Sequence, residues 1–210
     1  MDVPALLADF HDAHPQVEIT LTEDTSDRML TALHHGELDI AVAGLPDPEP
    51  APGLKHRIVI DEPLVAAVAP GHPLLDEQRG RTSVPLPALR GHRLISLPRG
   101  TGVRGVLDRL CAEAGFRPRV TCEAAAPDAL MRLAEQGLGV AVVPYPQSAS
   151  GTTSRALRML RIDDTRARGR VAVVWRTDGP AGPAARAFLA ALRGEAARTG
   201  VVRLSVHFQD

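Results

Sequence analysis

The chain has 210 residues, 44% hydrophobic and 23% charged, enough for one large domain or two of about 100 residues each. Its 24 basic and 25 acidic residues leave a net charge of −1, and aromatics are only 3%, which excludes both the broad positive field of a stand-alone DNA binder and the aromatic platforms that stack single-stranded nucleic acid. No apolar run reaches the roughly 18 residues of a membrane span, and MDVPALLADFHDAHP, with Asp2, Asp9 and Asp12, lacks the basic and apolar regions of a secretory signal, so a cytoplasmic location without membrane contact is expected.

Pro4 suits a first helical turn, and Leu6, Leu7, Phe10 and Ala13 recur at helical spacing until His14-Pro15 stops the pattern. Val17, Ile19 and Leu21 alternate as a strand. Asp24, Thr25 or Ser26 can cap a helix carrying Met29, Leu30 and Leu33, which Gly36 closes. Leu38, Ile40, Ala41, Val42 and Ala43 then read as a strand buried on both faces, as in a parallel sheet. After the loop 46-PDPEPAPG-53, Leu54–Ile60 and 63-PLVAAVAP-70 read as two strands, and 76–91 as a polar loop with a short helix near Pro87 to Leu89.

A second helix–strand series follows. It has a strand over 93–97, the loop 98-PRGTG-102, a helix from Val103 to Ala114, a strand over 120–124, a helix over 127–137, a buried strand over 138–144 and a loop over 145–154. Strands over 157–162 and 170–175 and a helix over 183–198 come next. The chain ends in 201-VVRLSVHFQD-210, a strand of period two with nothing after it to pair with.

The residues show no catalytic set. There is no G-x-S-x-G, no H-E-x-x-H, and no Lys-Ser/Thr after the loop at 98–102. Cys111 and Cys122 read as reduced, half-buried thiols in preference to a disulfide. His34 and His35 are adjacent on a helix and point to different sides. No metal and no cofactor is expected, and Arg104, Arg109 and Arg132 read as solvated helix faces. Binding is better supported, because helix N-termini at the carboxyl ends of strands attract anions. Two stand out: Thr25-Ser26, and Arg99-Gly100-Thr101-Gly102. The plain reading stays open, in which Thr25 and Ser26 only cap a helix and Gly100 and Gly102 only turn the chain.

The stretch 5-ALLADFHDAHPQVEITLTEDTSDRMLTALHHGELDIAVAG-44, with its His-Pro helix stop and Gly-x-Leu-Asp helix end, resembles the start of the effector-binding domain of LysR-type transcriptional regulators. Further matches follow in order at 64-LVAAVAPGHPL-74, 94-LISLPRGTGVRGVLDRLCAEAGFRP-118, 136-QGLGVAVVP-144 and 171-VAVVWRTDGPAGPAARAFLAAL-192. The resemblance implies an α/β, periplasmic-binding-protein-like (type 2) fold. Its two Rossmann-like subdomains, residues 1–68 plus 168–210 and 69–167, are joined by two crossover segments. It implies a small effector, a carboxylate in preference to a cation, held in the cleft between them. Thr25 matches a family position that contacts effector. Ser26, Arg99, Gly100, Thr101, Gly102, Ala125, Pro144, Tyr145, His207, Phe208 and Gln209 would complete the lining.

The resemblance further implies a homodimer formed by the helix containing Met29 and Leu33 and the strand after it. DNA would be reached only through a winged helix-turn-helix that is not in this chain. A solute-binding protein, an enzyme on the same fold, or a ligand-free dimerisation module are the alternatives. The family's opening strand is missing before Pro4, while 199-TGVVRLSVHFQD-210 followed by 1-MDVPALLADF-10 looks like that opening. A circular permutation is therefore expected, with the terminal strand in the slot of the opening strand and Glu195 to Gly200 as the joining segment. A swapped tail is the alternative.

Overall fold

The computed structural model describes residues 3–49, 51–78, 80–145, 157–180, 182–195 and 204–209. In chain order the elements are α1 (Val3–Ala13), β1 (Glu18–Thr22), α2 (Ser26–His35), β2 (Ile40–Leu45), β3 (Leu54–Val68), α3 (Pro73–Glu77), β4 (Ser83–Val84), a 3-10 helix (Leu86–Gly91), β5 (Leu94–Ser96), α4 (Gly102–Glu113), β6 (Val120–Glu123), α5 (Pro127–Glu135), β7 (Val140–Pro144), β8 (Arg158–Ile162), β9 (Arg168–Arg176), α6 (Pro183–Glu195) and β10 (Leu204–Gln209). The expected loop over 146–154, the helix end at 196–198 and the joining segment up to Gly200 lie outside the described residues. Contacts divide the chain into two units. The first holds the residues up to Asp61, Gly100–Gly102 and those from Arg170 on; the second holds Glu62–Arg99 and Val103–Gly169.

In the first unit the strand order is β1-β10-β2-β9-β3. All six residues of β2 are buried, because helices cover both faces of this sheet. Successive side chains of a strand point to opposite faces. Ile40, Val42 and Val173 pack with Phe10 of α1 and Phe188, Leu189 and Leu192 of α6. Ala41, Ala43, Leu45, Ala172 and Val174 pack with Met29 and Leu33 of α2. Phe10 and Phe188 meet edge to face, with centroids 5.1 Å apart and planes at 75°, the arrangement ring quadrupoles favour. At the end of α2 the Gly36 and Glu37 N–H groups return to Leu33 and Ala32 carbonyls. Arg176 Nη1 donates to the carbonyls of Leu33 and Leu38 at 3.3 and 3.1 Å, placing a cation at the negative end of the helix.

The terminal strand lies between β1 and β2, but its polarity corrects the permutation reading. β10 runs antiparallel to both neighbours, pairing Gln209 with Glu18 and Ser205 with Thr22 on one side, and Leu204 with Val42 and Val206 with Ile40 on the other. A strand joined head to tail to α1 must end where α1 begins. α1 stops just before Glu18, and its eleven residues carry its start about 16 Å from its end. Gln209 instead finishes beside Glu18. The slot is filled in the reverse direction, which satisfies the backbone groups of both neighbours equally well.

On α2, Met29 and Leu33 are 2% and 0% exposed and belong to the unit's own core, while Arg28, Thr31, His34 and His35 are exposed. β2 is paired on both edges, by β10 and β9.

β3 is one strand of 15 residues where two were expected, and its residues from Glu62 on belong to the second unit. Pro63 lacks an N–H but does not break it, since a ladder tolerates proline where no donor is required; its carbonyl accepts the Tyr145 N–H at 2.8 Å. From Leu64 on, β3 pairs antiparallel with β7 and β8, and β5 lies parallel between β7 and β6. Leu64 to Val68, Leu94, Ile95 and Val140 to Val143 form the core with Val106, Leu107 and Leu110 of α4 and Leu130 of α5. The stretch 76–91, read as a polar loop with one short helix, holds the last two residues of α3, then β4 and the 3-10 helix, because Val84, Leu86 and Leu89 drop into the core.

His72 caps α3, its Nδ1 accepting the Leu74 N–H at 3.2 Å. The His92 ring lies 5.2 Å away between centroids, and His92 Nε2 is 3.3 Å from Glu77 Oε2. Burial, then the charge of His92, holds His72 below the ordinary histidine range, with Glu77 opposing.

Two outcomes are expected. β1 is an edge strand joined to the sheet only through β10 among the described residues. Removing residues 204–210 should bring amide exchange of Glu18–Thr22 close to loop rates while Ile40–Leu45 stays protected on its β9 side; unchanged protection of β1 would mean another segment holds it. His72 folds as the neutral ring, so its contribution is intact above about pH 6.5 and is lost as pH falls below that value, where the unfolded chain takes the proton first. Thermal unfolding between pH 8 and 5 should fall more steeply for the wild type than for His72→Asn, an isosteric cap that does not titrate; parallel curves would rule His72 out.

Candidate functional site

Ser26 opens α2 and is 4% exposed. Its Oγ accepts the Gly44 N–H, at the end of β2, at 2.9 Å. Thr25 holds the N-cap position, but its hydroxyl accepts nothing from the helix and instead donates to Asp27 Oδ1 at 2.5 Å. The same oxygen accepts the Arg28 N–H at 2.8 Å, and Asp24 Oδ1 accepts the Thr25 N–H at 2.7 Å. The Asp27 N–H donates to the Gly100 carbonyl at 3.0 Å. The positive end of α2 is therefore not an open anion site. It already carries the Asp27 carboxylate, a resident anion where the helix favours one.

The turn at Gly100–Gly102 fits this end closely. Gly100 has φ +84°, and a Cβ there would lie 2.7 Å from the Asp27 Cγ. A Cβ on Gly102 would lie 2.5 Å from the Gly44 carbonyl carbon and 2.7 Å from the Leu45 nitrogen. Neither position has room for a side chain without moving backbone or a charged group. Thr101 between them is 6% exposed. Thr25, Ser26, Gly100, Thr101 and Gly102 thus all lie in the first unit, with Ser26, Gly100 and Gly102 in contact with Gly44 or Asp27. Sequence reading missed Asp27 and Gly44. An acid in a first helical turn was the available signal for Asp27; Gly44 had none beyond ending a strand.

The other named residues are placed differently. Arg99, Ala125, Pro144 and Tyr145 belong to the second unit. Arg99 and Ala125 are exposed, Pro144 is half-buried at the end of β7, and Tyr145 is 44% exposed. His207, Phe208 and Gln209 belong to β10 and lie opposite Thr20, Ile19 and Glu18 in the strand register, with Ser205 opposite Thr22.

Arg104 is not a solvated helix face. It is 3% exposed, its Nε donates to both Asp108 carboxylate oxygens at 3.0 Å, and its Nη1 donates to Glu123 on β6. Burial lowers its pKa, but the hydrogen bonds to Glu123 and Asp108 outweigh that and hold it above the usual arginine value. An arginine four residues before an acid, with a second acid on a nearby strand, is a pattern the sequence contains but cannot close by itself. Cys111 is fully buried, and burial, then the charge of Asp108, pushes its thiol up to about 12. Cys122 is half-buried, and both cysteines are free. Among the described residues no cluster of three His, Cys, Asp or Glu side chains could hold a metal, and no helix is long and apolar enough to cross a membrane.

A family model described as LysR substrate binding domain matches residues 2–197. A protein of Streptomyces viridosporus described as "Probable hydrogen peroxide-inducible genes activator" is 31% identical over 205 residues, covering 96% of this chain and 63% of that protein. One of the same description from Mycobacterium avium is 29% identical over 176 residues, covering 83% and 55%. The chain therefore spans between half and two-thirds of the length of these relatives. The solved CcmR regulatory domain of Synechocystis PCC6803, in complex with 2-PG, superposes with a TM-score of 0.71 at 22% identity, covering 95% of this chain and 93% of that one. With its two α/β units in a periplasmic-binding-protein-like (type 2) fold, the chain belongs to the LysR substrate-binding domain family, whose members bind effectors and are not enzymes.

Proposed function

We propose that this chain is the effector-sensing part of a LysR-type transcriptional regulator and that it holds a small carboxylate at the N-terminal end of α2. The observation that supports this most is the closed cluster around that end. Thr25 is half-exposed and places its hydroxyl on Asp27, while Gly100 lies against Asp27 and Ser26 and Gly102 are held against Gly44. An incoming carboxylate competes with Asp27 for the positive end of the helix. It takes the Thr25 hydroxyl as a donor once Asp27 has turned away. Arg99, Ala125, Pro144 and Tyr145 stay ligand contacts on the strength of the family resemblance alone. DNA is reached through a winged helix-turn-helix outside these 210 residues.

The relatives' peroxide description does not make Cys111 a thiol sensor. A reactive cysteine needs access and a lowered pKa; Cys111 has neither.

A thermal-shift screen of small carboxylates, 2-PG among them, is expected to yield a ligand. Thr25→Val should weaken it about three- to tenfold, the worth of one hydrogen bond. Asp27→Asn should tighten it by removing the competing charge. No ligand across the panel, or one indifferent to both changes, would refute the site, and turnover of a ligand would favour the enzyme reading.

The homodimer is proposed to use the outer face of α2, where Arg28, Thr31, His34 and His35 are exposed. Sedimentation equilibrium should give twice the 22.4 kDa chain mass, reverting to the single mass in Thr31→Arg. A wild-type monomer, or a dimer untouched by that change, would exclude this face.

A further inference from the structure

The second unit contains a cavity of about 600 Å3 whose lining includes Leu75, Gln78, Arg81, Tyr145, Arg158 and Met159, none of them a member of the α2 cluster. Its volume is within the range of small-molecule sites. Three observations give it a chemical character. First, the described lining carries two guanidinium groups, Arg81 and Arg158, and no carboxylate. The nearby acids of α3, Asp76 and Glu77, are exposed and do not line it, and Glu77 faces His92. Second, Gln78 at the end of α3 is only 8% exposed. Its backbone is engaged, the N–H with Leu74 and the carbonyl with Arg81, which leaves the side-chain amide as the part of Gln78 that can serve the lining. An amide there offers two donors and an acceptor to whatever enters. Third, Leu75, Met159 and Tyr145 add apolar surface to the same lining.

We propose that this cavity is a second ligand site, taking an amphipathic monocarboxylate: an apolar body against Leu75, Met159 and Tyr145, and a carboxylate on Arg81 with Gln78. The site is independent of the α2 end, so it stands whether or not that reading does. A guanidinium and an amide together prefer a carboxylate over its neutral amide isostere, since charge-assisted hydrogen bonds are roughly twice as strong as neutral ones.

Calorimetric titration of the whole chain with phenylacetate, and separately with phenylacetamide, tests this. Phenylacetate is expected to bind at least about tenfold more tightly than the amide. Arg81→Met and Gln78→Leu should each abolish most of that preference, and Arg132→Met, an exposed arginine outside the lining, should leave it unchanged. Arg81 is exposed, so its variant should fold even if the Gln78 variant does not. Absence of binding, equal binding of the two probes, or phenylacetate binding that survives Arg81→Met would each overturn the assignment.

Discussion

Gly102 approaches Gly44 so closely that one methyl group would not fit between them, and the arrangement at the α2 end follows from that contact. The clash is severe for a Cβ on Gly102, while one on Gly44 would sit tightly, 3.1 Å from the Gly102 nitrogen. The approach brings Gly100 over Asp27, so that its carbonyl takes the Asp27 N–H. Ser26 then fills the remaining space and gives its Oγ to the Gly44 N–H. A helix start, a strand end and a turn more than fifty residues further along the chain become one polar cluster with little slack.

The electrostatics of that cluster are self-contained. An empty helix N-terminus would hold a partial positive charge and free N–H groups, but here Asp27 supplies a carboxylate from within the first turn. An outside anion at this end would have to displace a carboxylate that is already there. The second unit follows the same logic with opposite sign. Arg104 is buried, and Asp108 and Glu123 surround it. A buried charge is tolerable only when it is paired in this way, and the pairing ties the start of α4 to β6.

The sheet of the first unit shows how weakly backbone pairing cares about direction. β1 and β2 run parallel with a strand's width between them, and β10 enters antiparallel. Its hydrogen bonds serve both neighbours. Its last residues, His207 to Gln209, thereby pair with Thr20 to Glu18.

Much of this was legible in the residues alone. Helical spacing in α1, α2, α4 and α6 and the apolar runs of β2 and β7 are local patterns, set by the fixed periods of helix and strand. The order of short motifs pointed to the family, and the glycines at 100 and 102 marked a turn of consequence. Other features were decided only by tertiary structure. The polarity of β10, the passage of β3 through Pro63, the burial of Arg104 and the filling of the α2 terminus by Asp27 each depend on a partner distant in the chain or on a choice between equally good local bonds. Periodicity shows which face of an element is apolar, but it carries no record of what that face will meet or in which direction a neighbouring strand will run.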